Sequence, residues 1–296
     1  MKIVSLSGGL GNQMFMYAFC LGLRAKDKKT LLFVPVLNNS KAYGHQGYEL
    51  EKLFHIYRFD GLFSKISNLI IQIYSQIIRV FPNKWNSLLY KFLNIHLVKV
   101  PENFIYYQNV FSFKNKHEFF RGTWQSESYF KDAKDEVRKQ FEFNQNLLSW
   151  NSIQTTKTML QSNSVSIHIR RGDYLSDNFK DGFGGVCTDE YYTKAIQFIK
   201  EKIEIPVFYV FTDDKDWVSN NFELEGALYI NSNTGIDSWQ DMYLMSQCKH
   251  NIIANSSFSW WGAWLNSNEK KIVIAPKLWW KLFEKDDVVP DSWIRL

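Results

Sequence analysis

Apolar and polar positions along the 296-residue chain recur in an order that is clearest after residue 160. "VSIHIR" alternates as a strand does, "DEYYTKAIQFIKEKI" repeats apolar positions at helical spacing, and "VFYVFT" returns to strand. The order continues through a short helix over "DKDWVSNNF", a strand "ALYIN" and a helix over "DSWQDMYLMSQC". It ends with a strand "NIIAN", a helix over "FSWWGAWLN" and a strand "KIVIA". Strands separated by helices are too far apart in sequence for tight hairpins, so the pattern predicts a parallel sheet with helical crossovers, a Rossmann-like half. Before residue 150 the pattern is less regular: a strand, glycine-rich turn and helix over "KIVSLSGGLGNQMFMYAFCLGLRAK", then a strand "TLLFVP". Further on, Leu62, Ile66, Leu69, Ile70, Ile73, Ile77 and Phe81 predict an amphipathic helix. Two domains are expected, 1–150 and 151–296.

Composition adds a globular core, since 45% of residues are hydrophobic and 22% charged. Cys20, Cys187 and Cys248 are too few and scattered for a disulfide framework and show no metal-ligand spacing, which suits a reducing compartment. The start, "MKIVSLSGGLGNQMF", lacks the apolar stretch of a signal peptide or membrane anchor, so a cytoplasmic protein is expected. The net charge of +5 is carried by one segment: between Gly61 and Val100 stand Lys65, Arg79, Lys84, Lys91 and Lys99, with no acidic residue. That segment either packs its apolar stripe on the core or rests peripherally on the anionic inner face of the cytoplasmic membrane. No nucleic-acid-binding motif is present.

In open parallel sheets, ligands sit beyond the carboxyl ends of the strands. Three clusters are expected on that rim: "HIRRGDY", "FTDDKD" and "ANSSFSWW". Strand alternation places Ser166, His168 and Arg170 on one face and sends Arg170 and Arg171 in opposite directions. An arginine fork grips a phosphate with two charge-assisted hydrogen bonds. Ser256 and Ser257 precede a helix whose free N–H groups attract anions, so Arg170 and this helix start could hold a diphosphate without a metal. Arg171 would tie the loop down, through Asp173 or another carboxylate, and Asp213 or Asp214 could accept from a guanine edge or a ribose. The plainer reading makes RRGD a salt-bridged turn and NSS an ordinary helix cap. "SGGLGNQMF" fails the dinucleotide fingerprint, because Met14 stands where a third glycine should, yet its backbone N–H groups and the amides of Asn12 and Gln13 could form the opposite wall of a cleft. Trp260, Trp261 and Trp264 read as core. The Asp214–Asp216 triplet and the scattered histidines give no metal site.

In the order "GGLGNQMF", "HIRRGDY", "FTDD" and "NSSFSWWGAWL", the chain resembles glycosyltransferase family 11, the α-1,2-fucosyltransferases, in their short bacterial form. The resemblance implies an α/β, GT-B-like fold with two Rossmann-like domains and a cleft between them, the N-terminal half carrying extra helices. It implies GDP-β-L-fucose as donor, a galactose-terminated oligosaccharide or lipid-linked glycan as acceptor, inversion, and neither metal nor other cofactor. Arg170 would then contact the β-phosphate and His168 the nucleoside, with Asp213 facing guanine or ribose. Ser256, Ser257 and Phe258 would supply phosphate contacts. Asn12, with Gly9, Gly11 and Gln13 around it, would approach the phosphate or the reacting sugar. Asp173 is the base candidate, with a base-free reaction as the alternative.

Overall fold

The structure, a computed structural model, describes residues 2–27, 30–34, 46–57, 95–101, 104–113, 117–177 and 179–296. The chain divides into two compact units, Met1–Asn39 with His45–Glu142, and Ser40–Gly44 with Phe143–Leu296. The division falls before residue 150 for a physical reason. Phe143 stacks on Trp239 at 5.8 Å, and the Ser149 N–H donates to Gln240 Oε1 at 2.8 Å, so both belong to the second unit's packing.

In the first unit, β1 (Lys2–Ser5), β2 (Thr30–Phe33), β3 (Ile95–Lys99) and β4 (His117–Arg121) form a parallel sheet in the order β2-β1-β4-β3. Helices α1 (Leu10–Lys26), α2 (Leu50–Phe54) and α3 (Lys134–Gln140) accompany it. α1 is buried almost all round, from Leu10 to Leu23 apart from Asn12, which marks it as the core of the unit rather than a surface helix. Phe19 centres an aromatic cluster there: it stacks on Trp124 at 4.4 Å and meets Phe120 and Tyr129 edge-on. The periodicity of the sequence does not announce β4, because a central strand that carries Glu118 breaks the apolar pattern. That carboxylate is buried with its cross-strand neighbour Lys2, 3.9 Å away. β3 occupies the end of the basic segment 61–100 as a strand, whereas the helix expected over Leu62 to Phe81 lies outside the described residues.

The second unit begins with α4 (Trp150–Leu160) and then follows, up to its last strand, the order read from the sequence. β5 (Asn163–Ile169), α5 (Asp189–Lys202), β6 (Pro206–Thr212), α6 (Lys215–Asn221) and β7 (Leu228–Ile230) come first. α7 (Trp239–Gln247), β8 (His250–Ile252), α8 (Ser257–Leu265), β9 (Val273–Ala275) and β10 (Ile294–Arg295) complete it. The strands are parallel in the order β10-β9-β8-β5-β6-β7. β5 is flanked by β6 and β8, with Ile167 opposite Val210 and Ile252. Its Val165, Ile167 and Ile169 face packs on Tyr191, Tyr192, Ala195 and Ile199 of α5. On the other face Ser166 is buried but bonded, accepting from Asn251 Nδ2 at 2.7 Å, and Asn251 in turn accepts from Asn266. Trp260, Trp261 and Trp264 are buried core residues of α8, as expected. Among the described residues no helix is long and apolar enough to cross a membrane.

A Cβ on Gly22 would overlap the carbonyl oxygen of Tyr129 and crowd the Phe130 backbone, neither of which is the end of a flexible side chain. Gly22→Ala should therefore destabilise the first unit by about 1–3 kcal/mol. The expected readout is a lower midpoint of that unit's transition in urea.

Candidate active site

The second unit's site is built where β5 runs out. Arg170 is the first residue past the strand, and its guanidinium is gripped twice: Nη2 donates to Asp173 Oδ1 at 2.7 Å, and Nη1 lies 2.9 Å from Asp213 Oδ2. Burial alone would push the arginine down, but Asp213 and Asp173 outweigh it and hold its guanidinium above the usual value. The Tyr174 ring flanks the same group, 5.6 Å from Cζ. A Cβ on Gly172 would overlap Asp213 Oδ2, so glycine is what lets β6's aspartate reach the arginine.

Arg171 turns the other way. Its N–H donates to Asp213 Oδ1 at 2.9 Å, its Nε pairs with Asp214 Oδ2 at 3.2 Å, and Cζ sits 3.7 Å over the Trp217 ring. Asp214 also caps α6, accepting from the Trp217 N–H at 3.1 Å.

The third cluster meets the first through Tyr174, whose hydroxyl donates to the Asn255 carbonyl at 2.8 Å. Asn255 is fastened by its amide to the Phe183 and Trp279 carbonyls. Ser256 caps α8, its Oγ accepting from the Phe258 N–H at 3.3 Å, while Ser257 and Phe258 form the partly exposed first turn. The Phe258 ring lies 5.9 Å from that of His168. His168 is 4% exposed, and burial, with Arg170 adding to it against Asp213, drives its imidazole down to about 3, so it is neutral at working pH. Two buried nitrogens on this strand face have no hydrogen-bond partner, His168 Nδ1 and Arg170 Nε. Such atoms are uncommon in a packed interior and mark where a ligand's polar atoms would fit. The arrangement as a whole offers a fixed cation, a neutral imidazole and a capped helix start, a set suited to a phosphorylated ligand.

In the first unit, Gly9 is the N-cap of α1, and Gly11, Asn12 and Gln13 lie in the helix's first turn. Asn12 is partly exposed, with Oδ1 accepting from Gln125 Nε2 at 2.7 Å.

The sequence matches Glycosyl transferase family 11 over residues 2–296. The chain belongs to glycosyl transferase family 11. It is 35% identical over 302 residues to the O-antigen biosynthesis glycosyltransferase WbnK of Escherichia coli, covering 98% of this chain and 99% of that one. It is also 35% identical over 305 residues to an alpha-1,2-colitosyltransferase of Escherichia coli, covering 99% and 98%. Among solved structures, the fucosyltransferase NodZ from Bradyrhizobium aligns over 88% of this chain and 91% of that one, with a TM-score of 0.51 at 10% identity, a likeness of fold. The chain is thus a family 11 glycosyltransferase with a GT-B-like α/β fold.

Several expectations for this family 11 enzyme need correction. Gln13 is fully buried and its amide is consumed internally: Nε2 donates to the Gly8 and Gly47 carbonyls and Oε1 accepts from the Glu49 N–H, so it offers a ligand nothing. The carboxylate that pairs with Arg171 is Asp214, and Asp173 pairs with Arg170. Asp213 braces both arginines through its two oxygens instead of standing free toward a base edge. Tyr174 and Asn255 lay inside the quoted motifs without a role. A tyrosine and an asparagine beside charged motif residues were the available signal.

A further carboxyl, Asp241, was missed because it sits among apolar helical positions, "DMYLM". It is buried at the start of α7, near the carboxyl end of β7, and accepts from Asn233 Nδ2 at 2.8 Å. Burial pushes it up to about 7, with Asn233 and Lys215 pulling the other way. An unfolded aspartate titrates near 3.9, so folding takes up a proton between these values. This group's cost is absent below about pH 4, grows as pH rises to about 7 and is level above it. Asp241→Asn should therefore be neutral near pH 4 and more stable than wild type at pH 8 by up to about 4 kcal/mol, read from urea midpoints at the two pH values.

Proposed function

We propose that the chain transfers L-fucose from GDP-β-L-fucose to the 2-hydroxyl of a terminal galactose, with inversion and without a metal, in the synthesis of a surface polysaccharide or lipopolysaccharide. The carrying observation is Arg170, fixed by Asp173 and Asp213 beside the start of α8, with its Nε and the neighbouring His168 Nδ1 unpartnered. In this reading the second unit binds the nucleotide diphosphate. Arg170 and the first turn of α8, at Ser256, Ser257 and Phe258, take the negative charge that gathers on the leaving diphosphate, and His168 meets the nucleoside side as a neutral imidazole. Donors already in place when charge develops need no reorganisation, which is why they lower the barrier. The first unit is assigned the acceptor side, with Asn12 and the Gly9–Gly11 backbone as its candidate ligand contacts. A fixed guanidinium serves the charge that a divalent cation would otherwise offset. The α-1,2 linkage draws support from the colitosyltransferase relative. The same relative favours a second reading, in which the linkage is kept and the sugar is colitose. We place the enzyme in the cytoplasm; vesicle binding that depends on anionic lipid would support the alternative of a peripheral membrane contact by the basic segment, and binding indifferent to anionic lipid would remove it.

The first test is GDP release from GDP-fucose in EDTA, with and without lactose, and the product linkage read by NMR. Lactose-dependent release with an α-1,2-linked product is expected. A preference for GDP-colitose over GDP-fucose would establish the second reading.

Arg170→Ala should lower turnover by roughly a hundredfold or more, the cost of losing one preorganised donor. Arg170→Lys should recover little of it, because one ammonium cannot fork toward two carboxylates and a phosphate at once. Steady-state kinetics on both variants, with folding checked by circular dichroism, decides this.

A further inference from the structure

Helix α4 of the second unit is turned inside out. A surface helix ordinarily buries its apolar stripe and gives its polar side chains to water. In α4 the buried positions are Ser152 and Met159, and Ser152 Oγ donates inward to Asn233 Oδ1 at 3.4 Å. The opposite side carries Trp150, 72% exposed, with Ile153, Lys157 and Leu160, all of them exposed. At 3.6 residues per turn these four fall within an arc of about 80°. Two further apolar side chains extend the patch. Leu147 stands just ahead of the helix, and Ile205 follows Glu204, whose carbonyl accepts from Asn163 Nδ2 at 2.6 Å just past the helix's end. Ile205 is 80% exposed and has a φ of 49°, a left-handed conformation that a β-branched side chain adopts at a cost. Five of the eleven large apolar side chains exposed among the described residues are thus gathered around one helix.

The charge and spacing of the stripe select its occupant. Between Phe143 and Ile169, apart from the neutral His168, Lys157 is the sole charged side chain. A nearly neutral face gives an acidic or basic partner little to recognise, and it lacks the Lys- and Arg-rich flank of a helix that lies on anionic lipid. Trp150, Ile153, Lys157 and Leu160 are spaced by three, four and three residues, the seam by which a helix pairs with a like helix. That spacing reads the same in both directions. A two-fold axis crossing the helix near Thr155 therefore sets Trp150 against Leu160 of a second copy and Ile153 against its Lys157. Each lysine then lies within one turn of the other copy's Trp150, where its ammonium can rest on the indole while its methylene stem covers the seam. A parallel pair would instead set Lys157 against Lys157.

We propose that α4 is a homodimer interface, two copies of the chain pairing antiparallel through the Trp150, Ile153, Lys157 and Leu160 stripe. Such a contact is isologous and closes on itself, so it yields dimers and no longer assemblies. The patch engages fewer side chains than the 20–30 a side of a standard interface, so the dimer is reversible, with a Kd expected at about 1–100 µM.

The test is sedimentation velocity of the full chain over about 1–200 µM, which brackets that range. Wild type should pass from monomer to dimer. Trp150→Glu and Leu160→Glu should each weaken the dimer at least about tenfold, the loss expected for a central anchor. Lys157→Leu should tighten it severalfold, because the seam then closes without a charge. All three positions are exposed, and circular dichroism checks that the fold is kept; should Trp150→Glu fail to fold, Leu160→Glu decides. A wild type that stays monomeric at the highest concentration would overturn the proposal. So would a dimer that both glutamate variants leave unchanged. A monomer that binds uncharged phosphatidylcholine vesicles, and loses that binding in Trp150→Glu, would assign the face to a bilayer and overturn it as well. Sedimentation reads mass and not turnover, so failure of the chain to use GDP-fucose would leave this result standing.

Discussion

The double grip of Asp173 and Asp213 on Arg170 is the constraint around which the second unit's site is organised. A strand end is a poor place to hold a long cationic side chain, because neither ladder nor helix fixes it. Here the chain solves this by bending at Gly172 so that a carboxylate from the next strand reaches back, and by returning Asp173 to the arginine three residues earlier. Both contacts are partly buried, where a charge-assisted pair keeps more of its strength than on an open surface. With the guanidinium fixed, its remaining nitrogen has one direction to offer.

The surroundings serve that placement. Tyr174 ties the loop to the α8 cap through the Asn255 carbonyl, so two sequence motifs separated by some eighty residues share one hydrogen bond. Behind them, the β5 face toward α5 is entirely apolar, and on the opposite face Ser166 is held by Asn251, whose amide also reaches the Met245 carbonyl. A rigid floor of this kind lets the rim carry unpartnered atoms without the interior yielding to satisfy them.

The second unit was legible from the sequence strand by strand from β5 to β9, whereas the two-residue β10 was not read. Its inner strands β5, β8 and β9 are almost wholly buried, its helices carry apolar stripes, and its turns hold the polar motifs, so period and chemistry agree. The first unit was legible only at β1, α1 and β2. β4 hides a buried Lys2–Glu118 pair within a central strand, a tertiary contact that local pattern does not encode. The rim was found, but its internal pairing was not, because which aspartate meets which arginine depends on how the β5 and β6 ends twist past one another. Gln13 was misread for the same reason: an amide beside glycines looks available until the partner segment, remote in sequence, is seen to occupy it.

The self-contained charge of this rim has a consequence for selectivity. Arg170 and Arg171 are offset by Asp173, Asp213 and Asp214, two positive groups against three negative ones. A bare pair of arginines would attract inorganic phosphate, nucleic acid and other cellular polyanions indiscriminately. A braced pair attracts them weakly, because any anion must compete with carboxylates already in place. Recognition then falls to molecules that bring shape and several well-placed hydrogen bonds as well as charge, and the rest of the cell's phosphate passes by.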